Sequence, residues 1–296
     1  MYPLTVPADR LPSFAADAQI NRMAQMMDDA IRRAKLRRVE QQSNPSITDF
    51  DVRGELYDLA HRVAKNARND EVERLREWIR PHRGDVALDI AAGGGFLTAA
   101  IQEWTGGPVY ALDPSRQQLA LLRQHVPAAL TILGSPDDAE LFGRGGFPAF
   151  DWATSLGGLH HVDDQAAMFR NVGRVLRRGG RFVLADVCGG TTVAEHFDDH
   201  VTAKCLTSHS AQWLTPQRLP TLLHGSGLQL RRTAVLPVEM CFESETQMAL
   251  FFKGLHAYDL TLEEIAQDLI ETLGVIERNG LLCLRWPLLF AELERE

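Results

Sequence analysis

The sequence has no apolar run long enough to cross a membrane. No uninterrupted apolar stretch approaches the ~18 residues that a membrane-spanning helix needs. Residues 1–10 also lack the basic-then-apolar order of a secretory signal peptide. We therefore expect a soluble protein of the cytoplasm that does not bind membranes.

Cysteine is scarce, and its spacing is not that of a metal framework. The four cysteines are Cys188, Cys205, Cys241 and Cys283, and no two of them form a Cys-x-x-Cys pair. Zinc frameworks are built from such closely spaced ligands, so the pattern offers none. It is typical of a protein in a reducing cytoplasm.

The sequence also lacks an excess of basic residues. It contains 31 lysines and arginines against 39 acidic residues, which gives a formal net charge of −8. Binding to nucleic-acid phosphates needs a basic surface, so general nucleic-acid binding is disfavoured. Residues 22–38 are locally basic, and we interpret them as the solvated face of a helix.

The amino-acid composition is that of a globular protein. Hydrophobic residues make up 45% and charged residues 24% of the 296 residues, which excludes a disordered or collagen-like protein. We predict an N-terminal helical extension over residues 1–52. A main domain over 53–296 follows, with a helical insertion near 244–280.

A long amphipathic helix is predicted over residues 13–42, with Ser13 as its N-cap. Apolar residues recur at steps of three and four, including Met23 and Met27. This apolar stripe suits a lid over a cofactor or a dimer element, but docking onto the body of the protein is the more ordinary role. A second helix is predicted over residues 54–79.

Strands alternate with helices from residue 86 onward. Apolar runs predict strands at 86–90, 109–113, 130–133, 150–155, 181–186, 228–238 and 281–289, with helical spacing between most of them. Such alternation predicts an α/β fold with a doubly wound, mostly parallel seven-stranded sheet.

A glycine-rich loop follows the first strand, in the sequence Asp89-Ile-Ala-Ala-Gly-Gly-Gly95. The nicotinamide fingerprint would need a glycine where Thr98 stands, and Asp89 would repel a pyrophosphate but attract an ammonium group. Asp113 ends the second strand, where a carboxylate can accept both hydroxyls of a ribose. A ligand with a ribose, a positive charge and no phosphate fits S-adenosylmethionine.

Four segments in order resemble motifs of one family: Leu88-Asp-Ile-Ala-Ala-Gly-Gly-Gly-Phe-Leu97, Ala111-Leu-Asp-Pro-Ser115, the fourth strand running on to Val162-Asp163, and Asn171 to Asp186. They resemble the class I S-adenosylmethionine-dependent methyltransferases with a Rossmann-like sheet, in particular the ubiquinone and menaquinone C-methyltransferases. The resemblance covers about residues 55 to 236. The segment Ser208-His-Ser-Ala-Gln-Trp-Leu-Thr215 is similar to the stretch that leads to the family's sixth strand.

The resemblance implies a cofactor-binding set. Four residues would hold the methionine end of the cofactor: Asp89, Ala91, Gly93 and Gly95. Asp113 would hold the ribose, and Pro114 would lie beside the adenine. The family usually has glycine-aspartate after the third strand, whereas this chain reads Gly134-Ser-Pro-Asp-Asp138. The adenine contact therefore falls to Ser135, Asp137 or Asp138. Tyr57 and Ser155 complete the predicted set.

Two histidines are candidates for the chemistry. His160 follows the fourth strand and Asp186 ends the fifth, and in the family's strand order these strands are neighbours. The pair resembles the histidine and aspartate that some O-methyltransferases use, with His160 as base and Asp186 as the group that orients it. The alternative is that His160 only shapes the cofactor pocket; His161 is interpreted as a packing residue. His209 is the other candidate histidine, on the acceptor side.

His196 and His200 stand four residues apart, a spacing that can bind a metal. Two histidines do not make a closed site, so we interpret them as a polar helix face and predict no metal. Tyr57, Trp152 and Trp213 are candidates for an aromatic wall around an acceptor.

These observations predict a methyltransferase that uses S-adenosylmethionine and acts on O, N or C of a small aromatic or heteroaromatic metabolite of secondary metabolism. Its partner would be the small-molecule acceptor, and formation of a homodimer stays open. Two alternatives stay open at this stage. One is an enzyme that cyclises or eliminates from the same cofactor, and the other is a non-catalytic cofactor-binding module.

Overall fold

The computed structural model describes residues 18–44, 46–207 and 209–296. The predicted N-cap Ser13 and the motif residue Ser208 lie outside these ranges. Among the described residues, no helix is both long and apolar enough to span a bilayer. The chain divides into two compact units. Unit 1 comprises the residues up to Asp70, Glu195–His209 and Pro237–Trp286, and unit 2 comprises Glu71–Ala194, Ser210–Leu236 and Pro287–Glu296.

The described helices and strands follow the predicted alternation. The helices are α1 Ala18–Ser43, α2 Asp49–Val63, α3 Asn69–Ile79, α4 Phe96–Thr105, α5 Arg116–His125, α6 Ala139–Gly143, α7 Gln165–Val175, α8 Thr192–His196, α9 Thr202–Lys204, α10 Leu219–Leu222, α11 Glu245–Leu255 and α12 Leu262–Leu273. The strands are β1 Ala87–Ile90, β2 Val109–Asp113, β3 Leu130–Leu133, β4 Phe150–Leu156, β5 Leu176–Val187, β6 Leu228–Leu236, β7 Glu239–Phe242, β8 Val275–Arg278, β9 Leu281–Arg285 and β10 Leu288–Arg295. A 3₁₀ turn covers Leu159–His161 and a π-helical turn covers Phe197–Val201.

Unit 2 contains a seven-stranded sheet in the order β3-β2-β1-β4-β5-β10-β6. The first five of these strands pair in parallel, and β10 runs antiparallel between β5 and β6. The predicted doubly wound, mostly parallel sheet is therefore confirmed. Every residue of β1 is buried, as expected of a central strand covered on both faces. The chain order reverses between β1 and β4, so the carboxyl ends of these strands form the switch point at which open sheets bind ligands.

Two segments that the sequence predicts as single elements are each divided into two in the structure. The helix predicted over 54–79 is interrupted after Val63, where Ala64 takes a non-helical φ of −135°. The apolar spacing is continuous across this break, but the two helices belong to different units. α2 buries its apolar face in unit 1, whereas Trp78 of α3 lies 5.5 Å from Phe290 in unit 2. The strand predicted over 281–289 is divided by Pro287 into β9 and β10, which belong to different sheets.

Unit 1 is built around the long helix that the sequence predicts. The α1 helix buries Met27, Ala30, Ile31 and Ala34, and it packs with α2 and α11. Its basic residues form partly exposed ion pairs with acids of the same unit, such as Arg33 with Glu55. The predicted boundary between residues 52 and 53 falls inside α2. The role of this helix as a lid or dimer element stays a prediction.

The three-stranded sheet of unit 1, in the order β7-β9-β8, contains a disulfide. Cys241 of β7 is directly opposite Cys283 of β9, and the two are joined. The interpretation of all four cysteines as thiols of a reducing compartment is thus wrong for this pair. A separation of 42 residues gave no local signal, because only the strand register brings the two side chains together. Cys188 and Cys205 are free thiols.

Candidate active site

The predicted site residues of unit 2 collect at the carboxyl ends of the sheet. Asp89 lies on β1, Asp113 ends β2, Ser155 lies near the end of β4, and Asp186 lies near the end of β5. Because these strands are parallel and adjacent, four segments distant in sequence end at one edge.

The loop between β1 and α4 turns through left-handed backbone at three positions. Ala91, Gly93 and Gly95 have φ values of +57°, +54° and +93°. Gly95 is the N-cap of α4, and a β-carbon added there would lie 2.9 Å from Cγ of Leu122. The loop therefore needs a glycine at 95, both for its backbone and for its contact with α5.

Ala91 stands where the related motif usually has glycine, and Gly158 accommodates it. The left-handed φ of Ala91 is a conformation that disfavours side chains. A β-carbon added at Gly158 would lie 2.5 Å from the β-carbon of Ala91. The missing side chain at Gly158, beyond β4, thus leaves the space that the Ala91 methyl group occupies.

Asp89 is buried, with 1% of its surface exposed, and its Oδ2 accepts a hydrogen bond of 2.6 Å from the Thr98 hydroxyl. The pKa of Asp89 is raised to about 7, mainly because the carboxyl is buried; the Thr98 hydrogen bond opposes this rise, and the charge of Asp113 adds to it. The carboxyl is therefore poised between its neutral and charged forms, and a nearby cation would favour the charged form. The first-turn position of Thr98 on α4 was the available signal for this contact, which the sequence analysis missed.

Two backbone N–H groups hold the carboxylate of Asp113 at the end of β2. Oδ2 accepts from Gly93 N at 2.8 Å, and Oδ1 accepts from Ser115 N at 2.8 Å. The first of these bonds connects the glycine loop directly to β2. Pro114 follows and is exposed. The orientation of the Asp113 carboxylate is thus fixed by the backbone around it.

The three candidates for the adenine contact have different surroundings. The Ser135 hydroxyl donates to Asp137 Oδ1, and Asp137 Oδ2 accepts from Asp164 N at 3.0 Å. Asp138 is exposed and caps α6, its Oδ1 accepting from Glu140 N and Leu141 N. The carboxylate of Asp138 thus has a structural role at the start of α6.

His160 and Asp186 are brought together as predicted. His160 lies in the 3₁₀ turn after β4, and its Nδ1 is 2.6 Å from Asp186 Oδ1. The other carboxylate oxygen accepts from Leu159 N at 2.7 Å, and Asp186 is completely buried. Since a carboxylate accepts, Nδ1 of His160 carries the proton. Nε2 then has the lone pair, on the side of the ring away from Asp186.

Hydrogen bonds that were not predicted from the sequence stabilise this turn. The Gln165 side chain donates to the carbonyls of Leu159 and Gln212, at 3.1 and 2.7 Å, and Gln212 N donates to the carbonyl of His160 at 2.7 Å. The Trp213 ring lies 5.1 Å from the His160 ring. Trp152, in contrast, is buried near the amino end of β4, with its Nε1 donating to Asp85, so it does not line an acceptor wall.

Two buried hydroxyls at the end of β4 have no hydrogen-bond partner among the described residues. They belong to Thr154 and Ser155, and both residues are completely buried. Buried polar atoms are almost always hydrogen-bonded, so orphaned groups at a switch point are a mark of a polar ligand. Ser155 belongs to the predicted set, whereas Thr154 was missed because a threonine in a buried strand is ordinary.

Several known proteins resemble this chain in sequence. Residues 88–184 match the methyltransferase domain family. Methyltransferase GfsG of Streptomyces halstedii is 28% identical over 66% of this chain and 69% of its own length. A demethylmenaquinone methyltransferase of Corynebacterium kroppenstedtii is 31% identical over 46% of this chain, and the match spans 57% of that protein, less than two thirds. These comparisons support the resemblance of the chain to the class I S-adenosylmethionine-dependent methyltransferases.

A solved methyltransferase shows the same fold. It is the geranyl diphosphate C-methyltransferase of Streptomyces coelicolor A3(2), in complex with S-adenosyl-L-homocysteine. It superposes with a TM-score of 0.51 at 14% identity, covering 83% of this chain and 84% of that one. At this identity the likeness establishes the sheet and its helices.

The remaining predicted site residues, Tyr57 and His209, lie in unit 1. Tyr57 is on α2, where its hydroxyl accepts from Arg68 at 3.1 Å and its ring lies 4.7 Å from His61. His209 is buried, its ring 4.7 Å from that of Phe197, and its carbonyl accepts from the Thr202 hydroxyl at 3.2 Å. Their roles in binding cofactor and acceptor stay predictions.

Proposed function

We propose that this protein transfers a methyl group from S-adenosylmethionine to an O, N or C atom of a small aromatic or heteroaromatic metabolite, in secondary metabolism. The observation that carries the proposal is the 2.6 Å contact between His160 Nδ1 and Asp186 Oδ1 at the carboxyl edge of the sheet. The partner is a small-molecule acceptor and not a nucleic acid, in keeping with the net charge of −8.

The residues at the switch point fit the cofactor. Asp113 presents an oriented carboxylate suited to the ribose hydroxyls, and the left-handed loop at Gly93 allows close approach of a ligand to the backbone. Asp89, buried and close to its neutral form, would gain a favourable interaction with the cofactor's ammonium group. The orphaned hydroxyl of Ser155 adds a polar contact. When bound, S-adenosylmethionine supplies an electrophilic methyl group on a sulfonium.

His160 would act as the base. Asp186 holds the Nδ1–H tautomer, so Nε2 can accept the proton that an acceptor hydroxyl or N–H gives up. Asp186 also stabilises the imidazolium that results, and its own two backbone hydrogen bonds keep it in place. Gln165 and Gln212 act as positioning residues because they fix the turn that carries His160.

Trp213 supports a flat acceptor. Its ring lies 5.1 Å from that of His160, so an aromatic surface adjoins the proposed base. Such a surface packs well against an aromatic or heteroaromatic ring and excludes water from the reacting atoms.

The first test is calorimetric titration of S-adenosylmethionine and S-adenosylhomocysteine into the full chain, with Asp113→Ala as the variant. We expect micromolar binding of both ligands and loss of binding in the variant. Absence of binding to the unaltered protein would overturn the proposal. Ser226→Ala is a matched control, since its hydroxyl donates to Leu223 O near β6, outside the proposed site.

A second test separates the reaction types. Radiolabelled S-adenosylmethionine is incubated with a panel of phenols, catechols and nitrogen heterocycles, and both methylated product and S-adenosylhomocysteine are measured. Label in an acceptor supports the proposal. Consumption of the cofactor without any acceptor would instead indicate a cyclase or lyase, and binding without consumption across the panel would indicate a non-catalytic module.

A further inference from the structure

Unit 1 contains a cluster of metal-ligating side chains that the proposed reaction does not use. His196 ends α8, His200 lies in the π-helical turn that follows, and Asp268 lies on α12. One ligand atom from each of the three residues lies within 4.8 Å of the others. The two imidazole rings are stacked, with centroids 5.4 Å apart and planes 11° apart. A π-helical turn is rare and is often found at functional positions.

The hydrogen bonds of Thr272 determine the tautomer of His196. The Thr272 hydroxyl donates to the carbonyl of Asp268 at 2.7 Å, one turn earlier in α12. Because that bond uses the hydroxyl hydrogen of Thr272, the hydroxyl oxygen can only accept in its second contact. It therefore accepts a hydrogen bond of 2.8 Å from the N–H at His196 Nδ1. The lone pair of His196 must then lie on Nε2. A metal-binding histidine usually has this arrangement, with the second nitrogen donating to a neighbouring oxygen.

That lone pair has no partner among the described residues. Nε2 of His196 is buried without a hydrogen bond, and the residue is 2% exposed. A buried acceptor without a hydrogen bond is unfavourable, because it has lost its interaction with water and gained none in return. A cation at Nε2 would supply such an interaction. The helix-face interpretation of His196 and His200 does not account for this atom.

The cluster already attracts a positive charge. The ammonium group of Lys204 lies 2.6 Å from Asp268 Oδ1 and 3.3 Å from His200 Nδ1, and His200 Nδ1 is itself 2.6 Å from Asp268 Oδ1. The Lys204 side chain is 32% exposed on a flexible stem, so it can move into solvent. A divalent ion would then replace the ammonium group beside the carboxylate.

We propose that His196, His200 and Asp268 form a binding site for a divalent transition-metal ion of the zinc type, with Lys204 as its internal competitor. Two imidazoles and one carboxylate suit such an ion, and three protein ligands leave a coordination position for water. The ion joins the helical segment at 196–200 to α12, so it stabilises unit 1 by binding the folded state only.

The test uses the full chain without an affinity tag, treated with a chelator and dialysed. Zinc chloride is titrated by calorimetry, and cobalt chloride is titrated by visible absorption, which reports tetrahedral coordination. We expect one ion per chain with a micromolar or lower Kd. His196→Gln and Asp268→Asn should weaken binding at least tenfold, and Lys204→Met should strengthen it several-fold. His224→Gln, an exposed histidine elsewhere, should leave the Kd unchanged.

Circular dichroism first establishes that each variant is folded. Lys204→Met keeps all three ligands, so its gain in affinity tests the site even if a ligand variant does not fold. The proposal is overturned if neither the unaltered chain nor Lys204→Met binds zinc or cobalt at micromolar concentrations. It is equally overturned if folded His196→Gln binds zinc as tightly as the unaltered chain.

Discussion

Gly158 leaves the space that the side chain of Ala91 occupies, with only 2.5 Å between the Ala91 β-carbon and the position of a β-carbon at Gly158. The φ of Gly158 is −132°, which any residue can adopt, so the glycine is required for space alone. Ala91, in contrast, has a left-handed φ of +57°. The departure from glycine in the first motif is thus compensated by a residue 67 positions later.

Replacing Gly158 by alanine should destabilise the fold by about 1–3 kcal/mol, because the two methyl groups would overlap. Ala91→Gly should be neutral or stabilising by about 1 kcal/mol, because it removes a side chain from left-handed backbone. The double variant should recover most of the loss. Urea denaturation of the four proteins gives the coupling energy, and strictly additive effects would contradict the steric argument.

Asp89 should make stability fall as pH rises. Its folded pKa of about 7 lies above the ordinary value of 3.8, so between these values the folded state holds a proton that the unfolded state has lost. The free energy of unfolding should therefore decrease from about pH 4 to pH 7, by up to about 4 kcal/mol. Asp89→Asn, which cannot ionise, should lack this decrease.

The measurement is urea denaturation of both proteins, without cofactor, at intervals from pH 5 to pH 8. The difference between the two curves isolates Asp89 from the other titrating groups. Curves that run parallel over this range would show that the carboxyl is ionised throughout. Cofactor binding should release a proton below pH 7, which calorimetry in two buffers of different ionisation enthalpy detects.

His160→Gln should lower kcat on a phenolic acceptor by about 10²–10⁴ while leaving the Kd of S-adenosylmethionine nearly unchanged. The residual rate should rise with pH, since a phenol that ionises by itself no longer needs a base. Asp186→Asn should also lower kcat, because the histidine loses its charged partner. His224→Gln is the control. A loss of cofactor affinity equal to the loss of rate would place His160 in the cofactor pocket instead.

Gly254→Ala should destabilise unit 1. A β-carbon at Gly254 of α11 would lie 2.5 Å from the carbonyl oxygen of Leu56 and 2.9 Å from Cβ of Ala60, both on α2. Because the backbone of α2 cannot move away without disturbing the helix, we expect the free energy of unfolding to fall by about 1–3 kcal/mol, as measured by thermal or urea denaturation. Gly143→Ala, in the open on α6, should change stability little. Equal effects of the two substitutions would show that α2 and α11 are not closely packed.

Much of unit 2 could be predicted because its signals are local. The strand at Ala87–Ile90, the left-handed glycines after it and the carboxylate ending β2 each lie within a few residues of one another in sequence. The pairing of His160 with Asp186 also followed, once the strand order was taken from the resemblance. The adenine contact could not be assigned in this way, because three neighbouring polar residues are equivalent until Asp138 is seen to cap α6.

The sequence by itself determined the fold class, the position of the glycine loop and the resemblance to a methyltransferase family, because these depend on periodicity and on motifs of adjacent residues. Only the tertiary structure decided which distant groups meet. It joined Cys241 to Cys283, placed Gly158 against Ala91, and aligned Thr272 so that Nε2 of His196 has no partner among the described residues. The physical reason is that strand register, close packing and tautomers depend on three-dimensional neighbours, and separations of 42 to 76 residues leave no local trace of them.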